Sequence, residues 1–316
     1  MAGTAFPSGD PHADRRASYA EGLADAGDIP AAIEVLCGAL ELAPGWAAGW
    51  FRLGELHETA GDTDAAARAW DRAVAADPAD VLGAGLKRDL ARKVPVAEAM
   101  PPAFVELLFD QYAAGFERAL VGKLGYRGPQ ILTADLDRAG LHRAARALDL
   151  GCGTGLMGQA LRPRCDWLGG YDISDRMLAE ARRKGVYDLL EKRDISGLAL
   201  SPARYDLIVA ADVFIYLGAL ERIIAWCAGS LEPSGALAFT LELGSQPVEL
   251  RESRRFAHSR DYVSGLLADA GFTALSLTEC VLRADRGAEV AGLSVVAGAP
   301  GTRRDRQGDG AAEVCA

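Results

Sequence analysis

"ALDLGCGTGLMGQAL", residues 147 to 161, is the stretch on which the fold turns. Apolar residues around one acid, Asp149, run into glycines at 151, 153 and 155, then into an apolar helix start containing Gly158. That is the pattern of a buried strand, a tight turn and a helix folded back on the strand. Glycines in such a turn let a ligand lie against bare backbone, and the helix start offers N–H groups with no partner inside the helix. Gly153, Gly155 and Gly158 also satisfy the spacing GxGxxG, and Asp172 lies 19 residues beyond Gly153 (172 − 153). At the end of the next strand, an acid so placed can accept both hydroxyls of a ribose.

Downstream, strand and helix patterns alternate. The strand-like runs are "RALDLG", "WLGGYDIS", "YDLLEKRDI", "YDLIVAADVF", "GALAFTLEL", "TALSLTECVL" and "AGLSVVAGA". Helices are predicted over 175–184, 219–231 and 260–270, with Ser174 and Ser259 at N-cap positions and Gly185 and Gly271 at their ends. This alternation predicts an α/β domain, a seven-stranded, mostly parallel sheet with helices on both faces. Only "RADRGAEV" joins the last two runs, too short for a crossover helix, so they should form an antiparallel C-terminal hairpin at one edge.

Upstream, the chain is alanine-rich and repeats itself. "AEGLADAGDIPAAIEVLCGALELAP" superimposes on "GELHETAGDTDAAARAWDRAVAADP", placing Gly27, Asp28, Ala32, Ala39 and Pro44 on Gly61, Asp62, Ala66, Ala73 and Pro78, each 34 residues on (78 − 44). The period resembles that of tetratricopeptide helix pairs, and Trp50, Leu53, Gly54 and Trp70 fall on its large and small positions. Two such repeats are expected over 15–92, forming either a groove for a protein partner or a cap on the second half. The remaining boundaries read as a disordered start over 1–14, a linker over 93–103 and a disordered tail over 301–316. Two further helices are expected over 104–144, one placing Phe104, Leu108, Tyr112, Phe116 and Leu120 at helical spacing.

Composition narrows the function classes. A formal net charge of −10 argues against a nucleic-acid partner, which needs clustered Lys and Arg. No stretch reads as a signal peptide or membrane span. The four histidines never pair with the six cysteines at ligand spacing, so no metal is expected. The cysteines read as reduced thiols of a cytoplasmic protein.

Asp149 helps to separate two ligand classes. Taken alone, the glycine spacing suits NAD, and hence an oxidoreductase, as well as any nucleoside. A carboxylate two residues before the first glycine would repel a pyrophosphate. It suits S-adenosylmethionine, which carries a sulfonium and an ammonium and no phosphate. The wider motifs agree. "LDLGCGTG" resembles the first motif of class I S-adenosylmethionine-dependent methyltransferases, and "YDIS" their ribose-binding motif. "KRDI" resembles the step that flanks adenine, "YDLIVAADVFIYLG" the fourth-strand motif, and "LEPSGALAF" the turn into strand five. The resemblance covers 104–300 and implies a Rossmann-like methyltransferase domain whose helices over 104–144 form a lid. The order of repeats, "FDQYAAGFERALVGKLGYRGPQIL" and this domain is similar to a bacterial group of tetratricopeptide-repeat methyltransferases.

That resemblance assigns roles residue by residue. Gly151, Cys152 and Gly153 would cradle the methionine portion, with Asp149 steadying the loop and favouring the ammonium. Asp172 would accept from the ribose, Ile173 and Met177 would pack on adenine, and Asp194 with Ile195 would flank its far side. Ala211 would face the reacting methyl group. Candidates for catalysis are His258 as a general base, Asp212 as a base or substrate ligand, and Tyr112 as a lid contact. Arg127 could pair with a carboxylate, and the cluster Arg251, Arg254, Arg255 could attract an acidic substrate. The expected reaction is SN2 methyl transfer to a small-molecule or protein acceptor. A non-catalytic cofactor sensor acting through its repeats is the alternative from another class.

Overall fold

The computed structural model describes residues 6–92, 100–285 and 287–299. The expectations for 1–5, 93–99 and 301–316 lie outside the described residues.

The chain starts in helices. α1 (Pro11–Asp25) and α2 (Ile29–Leu42) form one antiparallel pair, α3 (Ala47–Thr59) and α4 (Thr63–Ala76) a second, followed by α5 (Ala84–Arg92). The expectation of disorder to residue 14 is corrected here. Asp10 accepts from the N–H groups of His12 and Ala13, and Pro11 suits the first helical position, so the helix begins at residue 11. The 34-residue period reappears as geometry. Asp28 and Asp62 each cap the second helix of their pair, accepting from Ala31 and Ala65. Caps of this kind contribute about 1 kcal/mol each. Trp70 is fully buried between the second pair and α5, in a cluster with Ala66, Ala73 and Ala84.

The second half is one nine-stranded sheet. β1 (Ala144–Leu150), β2 (Cys165–Asp172), β3 (Leu189–Lys192), β4 (Tyr205–Ala210) and β5 (Leu231–Leu243) run parallel in the order β3-β2-β1-β4-β5. β6 (Val248–Leu250) and β7 (Phe256–His258) form a short antiparallel hairpin not expected from the sequence. β5 is long enough to overhang β4, and its last residues, Glu242 and Leu243, pair with β7. β8 (Thr273–Asp285) and β9 (Ala288–Gly298) form the expected edge hairpin, with β9 antiparallel to β5. The seven expected strands are present, and the hairpin β6–β7 is an addition to them.

Helices α7 (Gly128–Arg138), α8 (Leu156–Leu161), α9 (Asp175–Lys184), α10 (Glu221–Ser230) and α11 (Arg260–Asp269) cover the sheet. Ser174 and Ser259 cap α9 and α11 as expected, accepting from Met177 and Tyr262. Alternation along β1 divides the core. Leu148 and Leu150 join one buried cluster with Phe214 and Phe239, while Ala147 joins another with Leu132, Leu136 and Met157. Leu86 of α5 and Phe104 belong to the first of these clusters, so the helical half and the sheet share a core.

The predicted lid helix is broken. α6 (Pro102–Tyr112) passes into a 3-10 turn at Ala113–Gly115 and a π-helical turn at Arg118–Lys123. Leu124 and Arg127 then bond across to β8, the carbonyl of Leu124 accepting from Ala284 and the N–H of Arg127 donating to Leu282. Among the described residues no helix is long and apolar enough to cross a membrane, and Cys37, Cys152, Cys165, Cys227 and Cys280 are all free thiols.

Candidate active site

A cavity lies at the carboxyl ends of β1, β2 and β4, where open α/β sheets bind ligands. Its floor is the loop after β1. Gly151 sits at φ +63°, and a Cβ there would stand 2.2 Å from Val213, so both conformation and space demand glycine. Gly153, at φ +53°, has nothing within 4 Å of where a Cβ would be, which leaves its backbone open to a ligand.

Asp172 ends β2 on the cavity wall. Its carboxylate accepts from the N–H of Gly153 at 2.8 Å and of Ser174 at 2.8 Å. It therefore clamps the glycine loop to the second strand, a role the sequence did not suggest. Burial pushes its pKa up to about 6, against the pull of the backbone donors. Gly151, Cys152, Gly153, Ile173, Asp194, Ile195, Ala211 and Asp212 also line the cavity. Asp194 accepts from the N–H of Ser196 at 2.9 Å and its hydroxyl at 2.8 Å, so part of its acceptor capacity is used locally. Cys152 is buried, and burial raises its thiol well above the usual range, so it stays protonated and unreactive.

Five assignments change. Asp149 is fully buried and does not line the cavity. One oxygen accepts from the Tyr187 hydroxyl at 2.7 Å, the other has no partner, and burial pushes its pKa up to about 7. It braces the loop from behind the cavity wall, the steadying role expected of it, and its carboxylate does not reach the cavity surface. Met177 is also fully buried and off the cavity wall, because the cap at Ser174 turns the first turn of α9 into the core.

His258 is fully buried on β7. Its Nε2–H donates to the Gly218 carbonyl at 2.8 Å, its ring stacks on Tyr262, and burial lowers its pKa. It is a neutral structural residue, not a base for the cavity. Tyr112 is 58% exposed and stands outside this cavity, since the lid helix ends there. Arg127 is exposed and also absent from the cavity wall.

Asp212 does face the cavity, but it is not free. Both its oxygens accept from Arg283 at 2.8 Å, and its backbone sits at φ +58°, held by an N–H donated to Thr240 Oγ1 at 2.9 Å. Arg283, on β8, is fully buried and also donates to Glu242 on β5. Arg251 pairs with Glu242 and Glu249, and Arg255 lies near Asp285 and Glu242. Nothing in the sequence linked residues 212, 242 and 283, because register across the edge hairpin brings them together.

GxGxxG has a local explanation as well. A Cβ on Gly158 would stand 2.2 Å from the Tyr187 hydroxyl, the same hydroxyl that donates to Asp149. The third glycine thus makes room for a tyrosine brace and needs no pyrophosphate to account for it. The roof carries aromatic rings. Phe109 meets Tyr216 edge to face at 5.3 Å and Phe116 at 6.0 Å. Asp110 accepts from Ser174 Oγ at 2.6 Å, and Glu117 pairs with Lys184 at 2.5 Å, tying the roof to α9.

Comparison with known proteins agrees with this geometry. Residues 148–239 match the methyltransferase-domain family. The chain is 30% identical over 171 residues to a malonyl-[acyl-carrier protein] O-methyltransferase of Enterobacter lignolyticus, covering 54% of this chain and 66% of that one. It is 34% identical over 137 residues to a trans-aconitate 2-methyltransferase of Methylobacterium nodulans, covering 43% and 53%. The chain thus spans less than two thirds of the curated relatives it matches. In fold it is similar to the N-methyltransferase NodS of Bradyrhizobium japonicum, solved with S-adenosyl-L-homocysteine, with TM-score 0.51, 20% identity and coverage of 62% and 98%. The second half has the Rossmann-like methyltransferase fold.

Proposed function

We propose that this protein is a class I S-adenosylmethionine-dependent methyltransferase acting by SN2 transfer on a small-molecule or carrier-borne acceptor. The observation that carries the reading is the Asp172 clamp. One carboxylate holds open a glycine loop whose Gly153 backbone meets empty space, at the carboxyl ends of the central strands. Gly151 to Gly153 would hold the methionine portion, Asp172 the ribose, and Ile173 with Ile195 the adenine. When bound, the cofactor supplies a methyl group already activated on sulfonium. The remaining work of the chain is to orient the acceptor and exclude water. No side chain named as a catalytic candidate stands free beside the cavity, since His258 is buried, Tyr112 lies outside and Asp212 is bound to Arg283. The relatives that act on a malonyl carrier protein and on trans-aconitate support an acceptor of low molecular weight or borne on a carrier.

The helical half is read as two tetratricopeptide-type repeats, supported by the repeated aspartate caps. Its place in the core, through Leu86, favours a cap on the catalytic half over a free-standing partner groove. A cytoplasmic location is supported by the free thiols among the described residues.

Calorimetric titration with S-adenosylhomocysteine tests the reading. Binding by the wild type, lost by about 100-fold in Asp172→Ala, is expected from removing both the ribose acceptor and the loop clamp. Folded protein that binds NADH instead, or neither ligand, overturns it.

A further inference from the structure

A second cavity adjoins the first. The two share Phe109, Phe116, Leu120, Tyr216 and Arg255 as walls, so a molecule in one reaches the edge of the other. Phe104 and Leu108 make most of the remainder apolar, and the outer end is marked by the exposed Tyr112 and Ser253. Resting on the function proposed above, we infer that this cavity receives the methyl acceptor. The acceptor is a carboxylic acid with an apolar body, its carboxylate docked on Arg254 and its reacting end beside Tyr216.

Arg254 stands apart from its neighbours. Arg251, Arg255 and Arg283 each have carboxylate partners, whereas Arg254 has no ion pair among the described residues. Its guanidinium lies 5.4 Å from the centre of the Phe104 ring, on the cavity wall. An arginine stacked on a ring keeps its N–H fork free for a planar carboxylate. The backbone puts it there at a cost. Arg254 has φ +57°, in a turn closed by its own N–H on the Arg251 carbonyl at 2.8 Å and the Arg251 N–H on the Arg255 carbonyl at 2.9 Å. A non-glycine residue in the left-handed region is strained by its Cβ. Strain of that kind gathers where a side chain must be aimed. An apolar trough with a single unpaired cation at its outer end selects an amphipathic anion, with the polar anchor away from the transfer point.

The test uses octanoate and its uncharged counterpart octanamide as probes, titrated calorimetrically into the full-length protein with and without saturating S-adenosylhomocysteine. Wild type is expected to favour octanoate by about tenfold. The preference is expected to vanish in Arg254→Gln, to survive in part in Arg254→Lys, and to vanish in Arg254→Gly. The glycine variant relieves the positive φ, so its loss cannot be put down to misfolding. Equal affinities in wild type, no binding of either probe, or a preference that survives Arg254→Gln overturns the inference. Failure to bind S-adenosylhomocysteine with the acid preference intact overturns only the function proposed above.

Discussion

The two sides of the cleft are built on different principles. On the β1–β2 side, the binding surface is backbone, shaped by Gly151, Gly153 and the Asp172 clamp within a short run of sequence. On the β4–β5 side, the surface is side chain. Asp212, Glu242 and Arg283 come from three separate strands and their loops, and Phe109 and Tyr216 meet across the lid. The first side can be specified by a motif. The second exists only once the edge hairpin has found its register.

The largest effect expected follows from breaking the side-chain half. Arg283→Met removes the cation shared by Asp212, partly buried at the cavity, and Glu242, which is buried and keeps Arg251 as a partner. Removal of one partner from a buried ionic cluster costs about 3–5 kcal/mol. Denaturant unfolding should show a loss of that size, and restoration by Asp212→Asn in the same chain would assign it to the stranded charge. An unchanged midpoint would mean that the two sides are stabilised alike.

The backbone half breaks differently. Gly151→Ala meets Val213 as well as the positive φ, whereas Gly153→Ala meets the positive φ alone. Affinity for S-adenosylhomocysteine should fall about 100-fold for the first and about tenfold for the second. Equal losses would show that conformation, not space, governs the loop.

The smallest effect is in pH, and it sharpens the contrast because it belongs to the β1–β2 side. Burial raises Asp172 to about 6 and Asp149 to about 7, both above an unfolded value of about 3.9. Stability from these two carboxyls is fully present below that unfolded value and is lost as pH rises through 6 and 7. Unfolding of the ligand-free protein should therefore show a decline of a few kcal/mol, on the order of linkage estimates, between pH 4 and 8. Cofactor affinity should move the opposite way, since a protonated Asp172 has lost acceptor capacity. It should weaken about tenfold per pH unit below 6, and Asp172→Asn should flatten that slope. Any slope left in that variant nearer pH 7 belongs to Asp149.

The same contrast explains what was legible in the sequence. The seven strands, the edge hairpin and the caps at Ser174 and Ser259 followed from period, spacing and glycine placement, which are local properties, whereas most of the residues that line the cavity were marked by the motif resemblance. Asp149 and Met177 were placed on the ligand because a motif gives position along a strand or helix and not which face is turned inward. His258 looked like a base because its burial comes from β7, a strand of three residues that no periodicity can announce. Arg283 carried no signal, as its meaning lies in the pairing of β8 with β9 and β9 with β5.

Phe104 has one more consequence. A Cβ on Gly83, in the loop before α5, would stand 2.9 Å from this ring, while Arg254 lies over the ring from the β6–β7 turn. One side chain is thus common to the helical half and the outer cavity. Whatever displaces that ring from either side does work on the other, and linkage makes the exchange reciprocal. A molecule that engages the helices and shifts Phe104 would alter the grip on an acceptor held as inferred above by the same factor by which that acceptor alters the grip on the molecule.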